Sequence, residues 1–361
     1  MTLFLERYIY LRGTLNGRPT DMVLDSGAAA TVIDAALADE LALKTDGQVT
    51  ARGVGGTQPA SFLAGIEIEV GGLNLRGIRA VKIDLSGVRT MLGRGMPVIL
   101  GKEMFHAAVV VDIDYPNSRV AFRARAEFAY AGEGTTVPLV ASGDGHRQVE
   151  VTLEGEHKGL CTVDTGSGGT LAVFQGFLDK SSLLTDRPPL SETESGGVGG
   201  RIRSKVGTLR SVTFAGYELR EVPATFGVDK RGGAFDNDRL LGNLGAGIFS
   251  RFRMIFDYSR DVLHVEPAAD WQTRAFRKDR IGLACQWQGG ALVVTFVPPG
   301  SPAAGAELAV GTRIATIDGN PVPAEGWREA LLAHTRVDAG TTVVLGTADG
   351  RELKLVAADY Y

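Results

Sequence analysis

The chain has 361 residues, 44% of them hydrophobic, and a formal charge of −4 with no block of like charge, which excludes an extended nucleic-acid or anionic-membrane surface. At roughly 100–200 residues per domain, this length holds two or three domains. Glycine is frequent, at 48 residues, as expected of short strands joined by tight turns, and no stretch reaches the roughly 18 apolar residues of a membrane helix.

The N-terminus carries no charged-then-apolar leader, since Leu3-Phe4-Leu5 is too short for one. The expected location is therefore cytoplasmic, or periplasmic and exported if a signal has been removed from this chain. In chain order, strands 8–15 and 20–24 flank the hairpin dipeptide Asn16-Gly17. The second strand runs straight into Asp25-Ser26-Gly27. A short strand at 31–33 follows, then a helix over 35–41 with Asp34 as its N-cap. Gly53-Val54-Gly55-Gly56 marks a tight turn, 62–70 with Gly71-Gly72 reads as a hairpin, and strands at 108–112 and 120–123 close the unit.

The pattern then repeats. Gly197-Val198-Gly199-Gly200 stands 144 residues after Gly53-Val54-Gly55-Gly56, and Leu244-Gly245 stands 144 after Leu100-Gly101. Asp164-Thr165-Gly166 follows Asp25-Ser26-Gly27 by 139. In the second copy, strands 148–153 and 159–163 flank Glu154-Gly155, with further strands at 170–173, 209–214, 254–256 and 262–265. Offsets this tightly clustered indicate a duplicated, mainly β fold. The charged stretch 270–280 reads as a solvated linker. Beyond it lie strands at 292–297 and 313–317, a helix at 327–336, and a hairpin joining 341–345 to 352–356 around Asp349-Gly350.

The two cysteines, Cys161 and Cys285, and the five histidines (106, 146, 157, 264, 334) fall in no metal-ligand or redox spacing. No metal and no cofactor is expected. Paired aspartates on a duplicated scaffold suit a different chemistry. Two carboxyls about 3 Å apart cannot both ionise, so one holds a proton while the other activates water. The hydroxyls of Ser26 and Thr165 can brace the two loops across the pseudo-twofold, and Gly27 and Gly166 let backbone N–H groups approach the carboxylates. Ser167 is expected to donate to Asp164, leaving Asp25 as the proton holder.

Leu24-Asp25-Ser26-Gly27-Ala28 and Val163-Asp164-Thr165-Gly166-Ser167 resemble the active-site loops of the pepsin and retropepsin clan of aspartic peptidases. Ile99-Leu100-Gly101 is similar to the hydrophobic-hydrophobic-glycine element of that clan, and Gly53–Gly56 and Gly197–Gly200 stand where it places its flaps. Asn243-Leu244-Gly245 departs from the pattern by its polar first residue. Pro299-Gly300-Ser301-Pro302, Gly311-Thr312-Arg313-Ile314 and Ile317-Asp318-Gly319 resemble a bacterial PDZ domain, in which Ile281-Gly282-Leu283 would form the carboxylate-binding loop.

The resemblance implies two tandem retropepsin-like lobes (1–130 and 131–272) with the active site between them, then a PDZ-like domain (273–361). It implies an aspartic endopeptidase with catalytic Asp25 and Asp164, supported by Ser26, Gly27, Thr165, Gly166 and Ser167. Substrate would lie under Gly53, Val54, Gly55, Gly56, Gly197, Val198, Gly199 and Gly200. The partners it implies are protein or peptide substrates and a C-terminal peptide at the PDZ-like groove, with no nucleic acid, and one chain suffices for activity. The alternative is a non-catalytic peptide-binding adaptor on the same duplicated fold.

Overall fold

The computed structural model describes residues 2–5, 8–107, 109–228 and 232–361. Asn16 and Gly17, both at positive φ (46° and 79°), turn the strand Tyr8–Leu15 back into Arg18–Leu24. The first sheet comprises β1 (Thr2–Leu5), β2 (Tyr8–Leu15), β3 (Arg18–Leu24), β4 (Val32–Asp34), β5 (Thr45–Gly53), β6 (Gly56–Val70), β7 (Leu73–Ile83) and β8 (Val98–Leu100). Its order is β1-β2-β3-β8-β4-β7-β6-β5. Helices α1 (Ala35–Glu40), α2 (Ser86–Leu92) and α3 (Lys102–His106) are short. Asp34 occupies the N-cap position of α1 without capping it; its carboxylate instead accepts from the Leu85 N–H at 3.0 Å, fixing the start of α2.

Next come β9 (Val109–Asp114), β10 (Arg119–Ala124) and β11 (Thr135–Pro138). The expected strand at 108–112 begins one residue outside the described residues and extends to Asp114. The second sheet holds β12 (Val140–Ala141), β13 (Arg147–Leu153), β14 (His157–Asp164), β15 (Leu171–Val173), β16 (Ser191–Gly197), β17 (Gly200–Phe214), β18 (Tyr217–Phe226) and β19 (Gly242–Gly245). Its order, β12-β13-β14-β19-β15-β18-β17-β16, repeats that of the first sheet strand for strand. Helices α4 (Gln175–Leu178) and α5 (Ala246–Phe249) belong to this half.

β20 (Phe252–Asp257) and β21 (Val262–Pro267) do not close the second copy separately. They join β9, β10 and β11 in one five-stranded sheet, β10-β9-β20-β21-β11. The joint is β9 against β20, with Asp112 opposite Ile255. Asp112, buried, accepts from Arg123 of its own half at 2.7 Å and from Arg253 of the other half at 2.8 Å. Burial raises its carboxyl, but Arg253 and Arg123 outweigh that and hold it below the usual carboxylate value. Leu24, Phe105, Val163, Phe249 and Phe256 lie in one continuous core that runs through both halves.

The remaining strands, β22 (Ala284–Gln288), β23 (Ala291–Phe296), β24 (Arg313–Ile317), β25 (Asn320–Pro321), β26 (Thr342–Thr347) and β27 (Glu352–Val356), form a separate sheet. With α6 (Pro302–Gly305) and α7 (Trp327–Thr335) it encloses its own core around Leu292, Ile314, Trp327 and Leu345. The segment 270–280 is less solvated than its charge suggested. Trp271 and Phe276 pack on the core of the double unit, with the Arg251 guanidinium 3.8 Å from the Phe276 ring centroid. Arg280 is tied into the C-terminal module through Asp359 at 2.7 Å and the Val337 carbonyl at 2.8 Å. Among the described residues no helix is long and apolar enough to cross a membrane.

Candidate active site

β3 runs into Asp25 and β14 ends on Asp164, each pinned from the side by a parallel partner. Leu24 sits opposite Leu100 on β8, and the Asp25 N–H donates to the Leu100 carbonyl at 2.9 Å. Val163 sits opposite Leu244 on β19, and Asp164 opposite Gly245. The apolar residues before the aspartates are fully buried, so each carboxyl emerges from an anchored strand.

The two loops then lock each other. Ser26 Oγ donates to the Val163 carbonyl at 2.7 Å and accepts from the Thr165 N–H at 3.0 Å. Thr165 Oγ1 donates to the Leu24 carbonyl at 3.1 Å and accepts from the Ser26 N–H at 2.9 Å. Both hydroxyls are buried, so water cannot substitute for any of the four bonds. The glycines pack under the opposing aspartates. A Cβ on Gly27 would fall 2.5 Å from Asp164 Cγ, and one on Gly166 would overlap the Asp25 carboxyl. Their N–H groups hold the aspartates of their own loops, Gly27 to Asp25 Oδ1 at 2.8 Å and Gly166 to Asp164 Oδ1 at 2.9 Å.

This geometry sets the two carboxyls close together, each against the glycine of the opposite loop. Burial raises Asp25 well above the usual carboxylate value, and the neighbouring Asp164 charge raises it further. Burial also raises Asp164, but donation from Asn243, from Asp25 and from the Gly166 N–H pulls it back. The pair is therefore unequal: the bonds donated to Asp164 favour its charged form, and the proton is favoured at Asp25. The cause is not Ser167, whose backbone N–H donates to the Asp164 carbonyl at 3.3 Å and whose Oγ lies against Gly245. It is Asn243, buried on β19, whose Nδ2 donates to Asp164 Oδ2 at 2.8 Å. The polar residue that departed from the family pattern is the one that divides the pair, because Ile99 on β8 offers Asp25 no such donor.

His146, dispersed among the histidines by sequence, also reaches the site. Its Nε2 lies 3.0 Å from the Gly27 carbonyl and its Nδ1 2.9 Å from Asp144 Oδ1. No motif signalled it, because the contact joins residues 119 apart.

Gly53–Gly56 and Gly197–Gly200 are the tips of the β5–β6 and β16–β17 hairpins. The tips meet: the Gly55 N–H donates to the Val198 carbonyl at 2.9 Å, and the Gly199 N–H to Gln58 Oε1 at 3.3 Å. Val54 lies over Gly197, and Val198 packs in the same apolar cluster as Ala28 and Ala30, just beyond Asp25. In the C-terminal module, Ile281 and Leu283 point into the core. The N–H groups of Ile281 and Gly282 both donate to Asp279 Oδ1 at 2.9 Å, so a carboxylate of the chain itself already occupies this loop.

Residues 11–104 match the family model for aspartyl protease. The match spans Asp25, the first glycine tip and Leu100-Gly101, and ends before the second aspartate. It points to a hydrolase acting on peptide bonds. No curated protein matches the chain. Among the described residues, no group of three or more His, Cys, Asp or Glu side chains is arranged to hold a metal ion.

Proposed function

We propose that the chain is an aspartic endopeptidase in which Asp25 and Asp164 form the catalytic dyad between two retropepsin-like lobes, 1–130 and 131–272. The observation that carries this reading is the pair of loops locked to each other through Ser26 and Thr165, which sets each buried carboxyl against the other loop's glycine, with Asn243 donating to Asp164. Asp164 takes a proton from water as the water oxygen attacks the scissile carbonyl carbon, and Asp25 donates its proton to the carbonyl oxygen. The tetrahedral diol then collapses. The amine nitrogen takes the proton held by Asp164, the C–N bond breaks, and a diol hydroxyl returns its proton to Asp25. The step uses no metal or cofactor, and both carboxyls come from one chain, so a monomer suffices.

Substrate would lie as an extended strand under Gly53–Gly56 and Gly197–Gly200, whose open backbone suits strand pairing. The module 273–361 is read as PDZ-like, with its Ile281-Gly282-Leu283 loop filled by the Asp279 carboxylate. The test is cleavage of an unstructured protein mixture from pH 4 to 7 by the wild type, Asp25→Asn and Asp164→Asn. Cleavage lost in both variants supports the reading; cleavage retained in both refutes it.

A further inference from the structure

Beyond the segment 270–280, the described residues of the C-terminal module meet the double unit at two places that lead to the hairpin β16–β17. At the first, Arg94 pairs with Glu325 at 3.2 Å and Glu329 at 3.4 Å. The Gly326 N–H, just before α7, donates to the Gly93 carbonyl at 3.2 Å. Trp327 is packed so closely on Gly93 that a Cβ there would fall 2.5 Å from the indole Nε1. Gly93 ends α2, which lies against both β16 and β22.

At the second, the module grips the root of the tip itself. Thr295 Oγ1 on β23 donates to Glu194 Oε1 at 2.9 Å, and Arg201 Nη2 donates to Gln286 Oε1 on β22 at 2.9 Å. Arg201 also pairs with Glu194 at 2.6 Å, across the hairpin. The Arg203 guanidinium stacks 4.7 Å from the Phe296 ring centroid. Only 7% of the Glu194 side chain is exposed, so its carboxylate depends on these donors.

Glu194 and Arg201 flank Gly197–Gly200, and that tip is bonded to the other tip, with its Val198 packed against the same apolar cluster as Ala28. A strand of substrate can enter only if the tips part. Lifting β16–β17 separates Thr295 from Glu194 and Gln286 from Arg201, and leaves a buried carboxylate with fewer partners. We infer that the C-terminal module is an intramolecular clasp on the second hairpin. It holds the cleft closed through Gln286, Thr295 and the Arg94–Glu325 contact, and its release opens the cleft. What the cleft admits rests on the peptidase reading; the clasp itself does not.

The experiment uses the full chain and the variant Gln286→Ala/Thr295→Val/Glu325→Lys, all of whose changes lie in the module and outside the cleft. Amide hydrogen exchange is followed at residues 53–58 and 196–203, with 292–294 in the module core as the internal control. Loss of two hydrogen bonds and one ion pair is expected to speed exchange at the tips by about tenfold. Thr295→Val alone, which changes no charge, gives the same sign at smaller amplitude. Tips that exchange at the wild-type rate in both variants overturn the clasp. Cleavage of an unstructured protein is measured in parallel. Faster tips without cleavage in any protein leave the clasp standing and sink the peptidase reading. Cleavage with unchanged tips does the reverse.

Discussion

Asn243→Leu removes the donor that makes the two aspartates unequal while keeping the side chain's branching and approximate size. The bond is 2.8 Å long, ends on a carboxylate, and is buried. Such charge-assisted bonds contribute about 1.5–3 kcal/mol. At about 1.4 kcal/mol per tenfold change in proton affinity, its loss makes Asp164 harder to ionise by about one to two pH units. The sign follows from which form is stabilised. Asn243 favours the charged carboxylate, so without it Asp164 stays protonated to higher pH. The acid limb of kcat/KM, which reports ionisation in the free enzyme, therefore moves up by about one to two units. The basic limb, set by Asp25 losing its proton beside an already charged neighbour, moves less. The assay is kcat/KM for a fluorogenic peptide from pH 3 to 7. An acid limb that stays in place, or moves down, in a folded variant refutes the assignment of Asp164 as the charged partner.

Thr165→Val deletes one donor to the Leu24 carbonyl and the acceptor of the Ser26 N–H; chemical denaturation is expected to show a loss of about 2–4 kcal/mol, with activity falling as the loops separate. Asp25→Asn is expected to stabilise the protein at neutral pH. The folded values of both aspartates lie above their unfolded ones, so their favourable contribution is complete in acid and is lost as pH rises through the folded values. The variant's Tm should exceed wild type by about 2–4 °C at pH 7 for each kcal/mol of relief, and the gap should close towards pH 4. His146→Leu frees the Gly27 carbonyl and is expected to lower kcat by about tenfold with KM little changed. His146→Gln, which keeps a donor, should recover most of that loss; equal rates in wild type and His146→Leu would remove His146 from the site.

Much of the arrangement was legible because it is local or duplicated. Asn16-Gly17 and Glu154-Gly155 fix hairpins within a few residues of themselves, and the recurrence of Asp25 and Asp164, each followed by a Leu-Gly element, reported equivalent strands. Ser26 and Thr165 could be assigned as braces because small hydroxylated residues at symmetric positions have few other uses in a turn. Three features escaped, the first because its partner is distant in sequence and the other two because neighbours in sequence do not fix where a side chain points. Asn243 looked like a blemish in an apolar strand, since nothing in its neighbours says that its side chain faces an aspartate 79 residues earlier. Ser167 seemed the natural donor because it is adjacent, but adjacency along a turn does not aim a hydroxyl. Asp279, placed by sequence in a solvated linker, turns back on the Ile281 and Gly282 amides because a short carboxylate two or three residues ahead of free N–H groups forms a local turn.

The sheet formed jointly by the two halves has a consequence for how the chain comes off the ribosome. β9 is complete once Asp114 is made, yet its partner β20 begins at Phe252. Through the synthesis of the whole second half, the edge carrying Val110, Val111 and Ile113 waits without its neighbour. A waiting apolar edge invites pairing with another nascent copy. Asp112 stands in the middle of that edge. Before Arg253 arrives to share it, its charge guards the strand against the wrong partner; afterwards the same carboxylate rivets the right one in place.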